Sequence, residues 1–203
     1  MKGLYIVTPD WADTQQLLEI TELALKGGAA LVQYRNKLAD ATLRREQAEC
    51  VLALCRSYGR PLVINDFPDL CLAIDADGVH VGGADAPVAQ VRASVGPGKI
   101  VGASCYGDFA LAQRAQQEGA SYVAFGGFYP SRVKKYVVAT TPDVITRAKA
   151  ELPVPVVVIG GMTSDNAQPL VAAGADMVAA ISSVYQAADP QAAAARFAAL
   201  FAG

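Results

Sequence analysis

Two short apolar runs that each end in a carboxylate are the first residues from which chemistry is expected. Val63-Ile64 leads into Asn65-Asp66, and Gly78-Val79-His80-Val81 leads through Gly82-Gly83 to Asp85. If the runs are neighbouring parallel strands, their C-terminal ends lie side by side and Asp66 and Asp85 converge. Converging carboxylates suit Mg²⁺ carrying a phosphate-bearing substrate, because that ion keeps several coordination positions for water and phosphate. Taken singly, each aspartate also reads as a helix cap or turn former. A second set, Gln33-Tyr34-Arg35-Asn36-Lys37, follows another apolar run. Strand alternation puts Gln33, Arg35 and Lys37 on one side. An arginine fork and a lysine point charge there make a polyanion clamp, although both also read as solvated loop charges.

Further candidates sit after later apolar runs. Gly102-Ala103-Ser104 offers a small hydroxyl, and Gly126-Gly127 opens a loop with Ser131, Arg132, Lys134 and Lys135, suited to fold over an anion. Gly160-Gly161 and Ile181-Ser182-Ser183 precede helical sequence, where backbone N–H groups cradle phosphate; the glycine pair also reads as a tight turn. Two anion sites are therefore expected, one metal-assisted and one metal-free. His80, between two valines, reads as a hydrogen-bonded interior histidine rather than a ligand. Trp11 either lines the pocket or covers its rim. No Ser-His-Asp or Cys-His arrangement stands out.

The elements that must position these residues alternate without a gap. Strands are expected at Leu4 to Thr8, Ala30 to Tyr34, Leu62 to Asn65, Val79 to Val81, Lys99 to Ser104, Tyr122 to Gly126, Val154 to Ile159 and Met177 to Ile181. Helices are expected at Thr14 to Lys26, from a cap at Asp40 to about Tyr58, at Asp69 to Ile74, from Pro87 at the first helical position, at Phe109 to Glu118, at Pro142 to Glu151, and after each of the last two strands, with Ser164 or Asp165 as a cap. Gly28-Ala29, Gly119-Ala120 and Gly174-Ala175 repeat one helix-to-strand turn. Uniformly apolar strands between helices argue for a parallel sheet covered on both faces. Eight βα units most economically close into a single (β/α)₈ TIM barrel over residues 1–203, an α/β fold. A doubly wound open sheet would usually carry a glycine-rich loop where Thr8-Pro9-Asp10-Trp11 stands. In the barrel, the polar residues above all fall at C-terminal strand ends, the face where such enzymes place their chemistry.

With 203 residues the chain is long enough to bury roughly 70% of its unfolded surface. A net charge of −2 with only 18% charged residues leaves no basic footprint for nucleic acid or a membrane surface. Cys50, Cys55, Cys71 and Cys105 show neither a CxxC pair nor zinc spacing, and read as small core hydrophobes in a reducing cytosol. No signal-peptide or membrane-helix run is evident, so a soluble cytoplasmic protein is expected. A homo-oligomer is compatible with this sequence.

The motifs QYRNK, INDFPDL, ADGVHVGGAD, GASCYGD, FGGFYPSRVK, IGGM and AAIS occur in an order that resembles the thiamine phosphate synthase family over nearly the whole chain. That resemblance implies a Mg²⁺-dependent transferase with small-molecule substrates. It joins hydroxymethylpyrimidine diphosphate to hydroxyethylthiazole phosphate, releasing diphosphate through a loose, carbocation-like pyrimidine methylene. It also implies Asp66 and Asp85 as metal ligands, and Gln33, Arg35, Lys37, Asn65, Ser104 and Lys134 as the pyrimidine diphosphate set. Within that set Arg35, Lys37, Ser104 and Lys134 act on the reacting groups. Ser131, Gly161, Ile181 and Ser182 match the thiazole phosphate contacts.

Two positions depart from the family pattern. Gly83 stands where glutamine is usual, and Val133 stands in the thiazole phosphate set where a hydroxyl is usual. Val133 is expected to weaken thiazole phosphate binding by about one hydrogen bond to a charged group, roughly 1.5–3 kcal/mol. The Michaelis constant of Val133→Thr checks this. The rival readings are a thiazole tautomerase, with an acid–base group wanted at Cys105-Tyr106, and a non-catalytic regulator binding thiamine phosphates. A Schiff-base aldolase through Lys134 suits a loop lysine poorly.

Overall fold

The computed structural model describes residues 1–82, 87–130 and 140–202. Eight strands form a closed parallel barrel in chain order: β1 (Gly3–Val7), β2 (Ala29–Tyr34), β3 (Leu62–Asn65), β4 (Gly78–Val81), β5 (Ile100–Tyr106), β6 (Tyr122–Gly126), β7 (Val156–Ile159) and β8 (Met177–Ala180). The ring closes where β8 pairs with β1, Met177 opposite Gly3. Helices α1 (Thr14–Lys26), α2 (Ala41–Ser57), α3 (Pro68–Ala73), α4 (Val88–Val95), α5 (Phe109–Gln117), α6 (Asp143–Glu151), α7 (Ser164–Ala172), α8 (Ser182–Tyr185) and α9 (Pro190–Ala199) cover it. The expected eight-fold alternation is present.

Local chemistry sets the boundaries. Asp13 and Asp40 cap α1 and α2, accepting from Gln16 N at 3.0 Å and Leu43 N at 2.9 Å. Gly28, Gly119 and Gly174 all adopt positive φ, between 96° and 109°, so the repeated turn is one backbone requirement met three times. Three expectations shift. Pro87 and Pro142 are the caps of their helices rather than their first helical residues. Helix α7 is capped by Thr163, not Ser164 or Asp165, because Thr163 and Asn166 form a reciprocal capping box. After β8 the four-residue α8 intervenes before the alanine-rich α9.

Alternation along β1 shows how the core divides. Leu4 and Ile6 pack outward among the helices, while Tyr5 and Val7 join Leu31, Val63, Tyr122 and Val157 inside the barrel. Both faces of the strand are buried, so the sequence carries no polar alternation. Among the described residues no helix is long and apolar enough to cross a membrane.

All four cysteines are free. Cys55, Cys71 and Cys105 are buried, and burial pushes their thiols up to about 12, 11 and 12. Only Cys50 is half-exposed. Brief alkylation of the native protein at neutral pH is therefore expected to label one thiol, and all four after unfolding. Intact-mass spectrometry showing two or more rapid labels would contradict the burial argument.

Candidate active site

The C-terminal ends of the strands open into a cavity of about 400 Å³. Of the residues expected to do chemistry, Gln33, Arg35, Lys37, Asn65, Asp66, Ser104 and Ile181 line it. Gly161 and Ser182 follow β7 and β8 on the same face but are not among the lining residues. Asp85, Ser131, Val133 and Lys134 lie outside the described residues.

The two described cations expected to clamp an anion each have a carboxylate beside them. Arg35, at the end of β2 and only 10% exposed, donates from Nη1 to both carboxylate oxygens of Asp10 at 2.9 Å. Its Nη2 and Nε remain uncommitted among the described residues. Asp10 also accepts from Lys37 N at 2.7 Å, and Thr8 Oγ1 ties the Arg35 backbone through bonds of 2.8 and 2.7 Å. The loop after β1 thus fixes the loop after β2. Pro9-Asp10 reads from sequence only as a turn, so this holding role had no sequence signal. Replacing Asp10 by alanine should leave Arg35 buried without its partner. A stability loss of about 2 kcal/mol is expected, with kcat/KM for an anionic substrate down roughly 10- to 100-fold through misplacement. Denaturation midpoints and steady-state rates check the two effects separately.

Lys37 is more exposed, with Nζ 3.6 Å from Asp66. Asp66 follows β3 in the left-handed region, φ 61°, which aspartate tolerates better than most residues. Its N–H donates to His80 O at 2.9 Å, tying β3 to β4 beyond the sheet. Its Oδ2 accepts from Asn65 Nδ2 at 2.6 Å, while Oδ1 has no partner among the described residues. One uncommitted hard oxygen fits an ion such as Mg²⁺, which takes few protein ligands and keeps water and phosphate in its other positions. A side pocket of about 210 Å³ adjoins this corner and shares Lys37, Asn65 and Asp66 with the main cavity. Its wall adds Arg44, whose guanidinium lies 4.1 Å over the Phe67 ring. Arg44 falls within the helix expected after Asp40, where no motif singled it out.

His80 is the hydrogen-bonded interior histidine that its flanking valines suggested. Its Nδ1 is 2.8 Å from Tyr122 Oη and its Nε2 is 2.9 Å from Ser104 Oγ. Tyr122 Oη is 2.7 Å from Tyr5 Oη, which accepts from Gln33 Nε2. Sequence reading missed both tyrosines. The available signal was a phenol inside an otherwise apolar strand, which needs a buried partner. Gly102 makes the arrangement possible. It pairs with His80 on one side and Tyr122 on the other, and a Cβ there would lie 2.0 Å from Tyr122 Cζ. Without a side chain on β5 at this level, Tyr122 reaches across to His80.

Trp11 belongs to the rim: its ring meets Tyr185 edge-on at 5.7 Å, and it is not among the cavity-lining residues. Cys105, at the position where a tautomerase would want an acid–base group, is buried with its thiol raised to about 12. Gly160 and Gly161 both have positive φ, and a Cβ on Gly161 would lie 2.2 Å from Pro130 O. Backbone packing in the turn therefore requires glycine at 161, and positive φ favours it at both positions.

The family model described as thiamine monophosphate synthase matches residues 4–184, from β1 into α8. A thiamine-phosphate synthase of Janthinobacterium sp. (strain Marseille) is 68% identical over 202 residues, covering 100% of this chain and 98% of that relative. Another from Methylobacillus flagellatus is 49% identical, covering 99% and 96%. Among solved structures, a thiamine phosphate pyrophosphorylase from Pyrococcus furiosus superposes with a TM-score of 0.86 at 30% identity, over 98% of this chain and 95% of that one. A 3-hexulose-6-phosphate synthase at 20% identity, TM-score 0.72, shares the fold. Since the match runs through every strand that contributes to the cavity, the chain belongs to the thiamine monophosphate synthase family.

Proposed function

We propose that the chain joins hydroxymethylpyrimidine diphosphate to hydroxyethylthiazole phosphate in the cavity at the strand ends, acting in the cytoplasm as one catalytic domain over residues 1–203. The observation that carries the reading is convergence: Gln33, Arg35, Lys37, Asn65, Asp66 and Ser104, from three strands and the turns after them, meet in one cavity. Its volume of about 400 Å³ is that of a small-molecule site. Asp66 and Asp85 would hold Mg²⁺, which supplies positive charge to a departing diphosphate. Arg35, Lys37 and Lys134 would add cationic charge, and Ser104 a hydroxyl donor, while Gln33 and Asn65 orient the pyrimidine diphosphate. Ser131, Val133, Gly161, Ile181 and Ser182 would contact the thiazole phosphate.

In the reaction the methylene C–O bond breaks and its electron pair leaves with diphosphate. The thiazole nitrogen then donates its lone pair to the methylene carbon, forming the C–N bond. No protein nucleophile or base is required, so positioning and electrostatics supply the rate. Incubating the purified protein with both phosphates and Mg²⁺ should release diphosphate in step with thiamine phosphate, and EDTA should stop it. Binding of either phosphate without release would sink the synthase reading in favour of a regulator.

A further inference from the structure

A line of hydrogen bonds crosses the barrel interior at the floor of the cavity, from Gln33 on β2 through Tyr5 on β1, Tyr122 on β6 and His80 on β4 to Ser104 on β5, with all but Tyr122 lining the cavity. Only its two ends, Gln33 and Ser104, belong to the substrate set described above. We propose that Tyr5, Tyr122 and His80 are positioning residues that impose one direction on this line, so that Gln33 presents its carbonyl oxygen, and Ser104 its hydroxyl proton, to the substrate.

The direction follows from the Gln33 amide, which turns Nε2 toward Tyr5, and from proton counting along the rest of the line. Each phenol has one proton to give. Gln33 Nε2 donates to Tyr5, so the Tyr5 proton goes to Tyr122 Oη, and the Tyr122 proton to His80 Nδ1. An imidazole that accepts at Nδ1 carries its hydrogen on Nε2 and donates it to Ser104 Oγ. The Ser104 proton is then released for the cavity. Reversal would turn all five groups over together, leaving Ser104 to offer lone pairs and Gln33 to offer N–H. An anionic phosphate beside Ser104 requires a donor, and an aminopyrimidine beside Gln33 offers N–H to a carbonyl. Both halves of that argument rest on the proposed substrates; the direction of the line does not.

The surroundings keep the line intact. Tyr5 and Tyr122 are essentially inaccessible to solvent, and burial raises both phenols well above their ordinary range, so both stay protonated. The Tyr5 ring meets Tyr122 edge-on at 5.9 Å, and the His80 ring stacks on Tyr122 at 5.6 Å and 20°. A half-reversed line would leave a buried donor or acceptor unsatisfied.

His80 is the sole histidine in the chain, so the full-length protein labelled with ¹⁵N-histidine gives one imidazole to observe. Long-range ¹H–¹⁵N correlation at neutral pH should show Nε2 protonated and Nδ1 bare. An Nδ1–H tautomer, or a doubly protonated ring, overturns the proposal. Tyr122→Phe should convert the single tautomer into a mixture. It should also lower kcat/KM for the pyrimidine diphosphate about tenfold, with the KM for thiazole phosphate unchanged. Because part of the Tyr122 effect would pass through Ser104, Tyr122→Phe combined with Ser104→Ala should lose clearly less than the product of the two single losses. Fully multiplicative losses, or equal losses toward both substrates, would refute the positioning role. Nε2–H in a protein that forms no thiamine phosphate would support the line's direction and refute the proposed reaction alone.

Discussion

Replacing Gly102 by alanine is expected to destabilise the protein by about 3 kcal/mol, at the upper end of what overpacking usually does. The new Cβ would stand 2.0 Å from Tyr122 Cζ and 2.2 Å from its hydroxyl. Tyr122 is enclosed in the barrel interior between Tyr5 and His80, and a rigid ring has no flexible end to swing aside. Something must move, and the nearest parts are the hydrogen bonds to Tyr5 and His80. The denaturant midpoint should fall with the slope m unchanged. Gly102→Ala/Tyr122→Leu should recover part of the loss, since leucine lacks the distal ring atoms. An unchanged midpoint for Gly102→Ala would show that Tyr122 has room the interior packing denies it.

Asp66→Asn is expected to lower kcat roughly 100- to 1,000-fold, the scale of weakening one source of charge stabilisation, here the ion that Asp66 would hold against the departing diphosphate, while leaving the fold intact. Asparagine is chosen because residue 66 sits at φ 61°, a conformation Asn also tolerates, whereas alanine there would cost about 1–2 kcal/mol. Asp66 Oδ2 already accepts from Asn65 and faces Lys37, so the substitution removes charge more than shape. Rates measured across a Mg²⁺ titration separate the possibilities. Activity restored to the parent level at high Mg²⁺ would mean weaker ion binding alone, and an unchanged requirement would remove Asp66 from the metal site.

The barrel was legible because its signals are local and repeated: apolar runs of strand length, the Asp40 cap, and three positive-φ glycines after helices. The polar residues that interrupt those runs marked the open face, and Gln33, Arg35, Lys37, Asn65, Asp66 and Ser104 do share one cavity. What escaped was pairing across distance. Asp10 binds Arg35 from another loop, and Tyr5 meets Tyr122 across 117 positions of chain. Neither spacing carries a period. Gly102 looked like a small residue in a strand, yet its meaning lies in the tyrosine of the next strand. Cap positions differed for a similar reason: Thr163 prevailed over Ser164 and Asp165 because Asn166 returns the bond.

The closure of β8 against β1 has a consequence for the chain as it emerges from the ribosome. Gly3 finds its partner Met177 only after nearly all the intervening sequence has been made, about 10–35 s at ordinary rates of translation. Throughout that interval the Gly-Leu-Tyr-Ile-Val segment has one side paired, at most, and an apolar edge open to other chains. Its Tyr5 hydroxyl waits as well, until Tyr122 is synthesised. The seam of the finished barrel is therefore the edge of the nascent one that stays open longest.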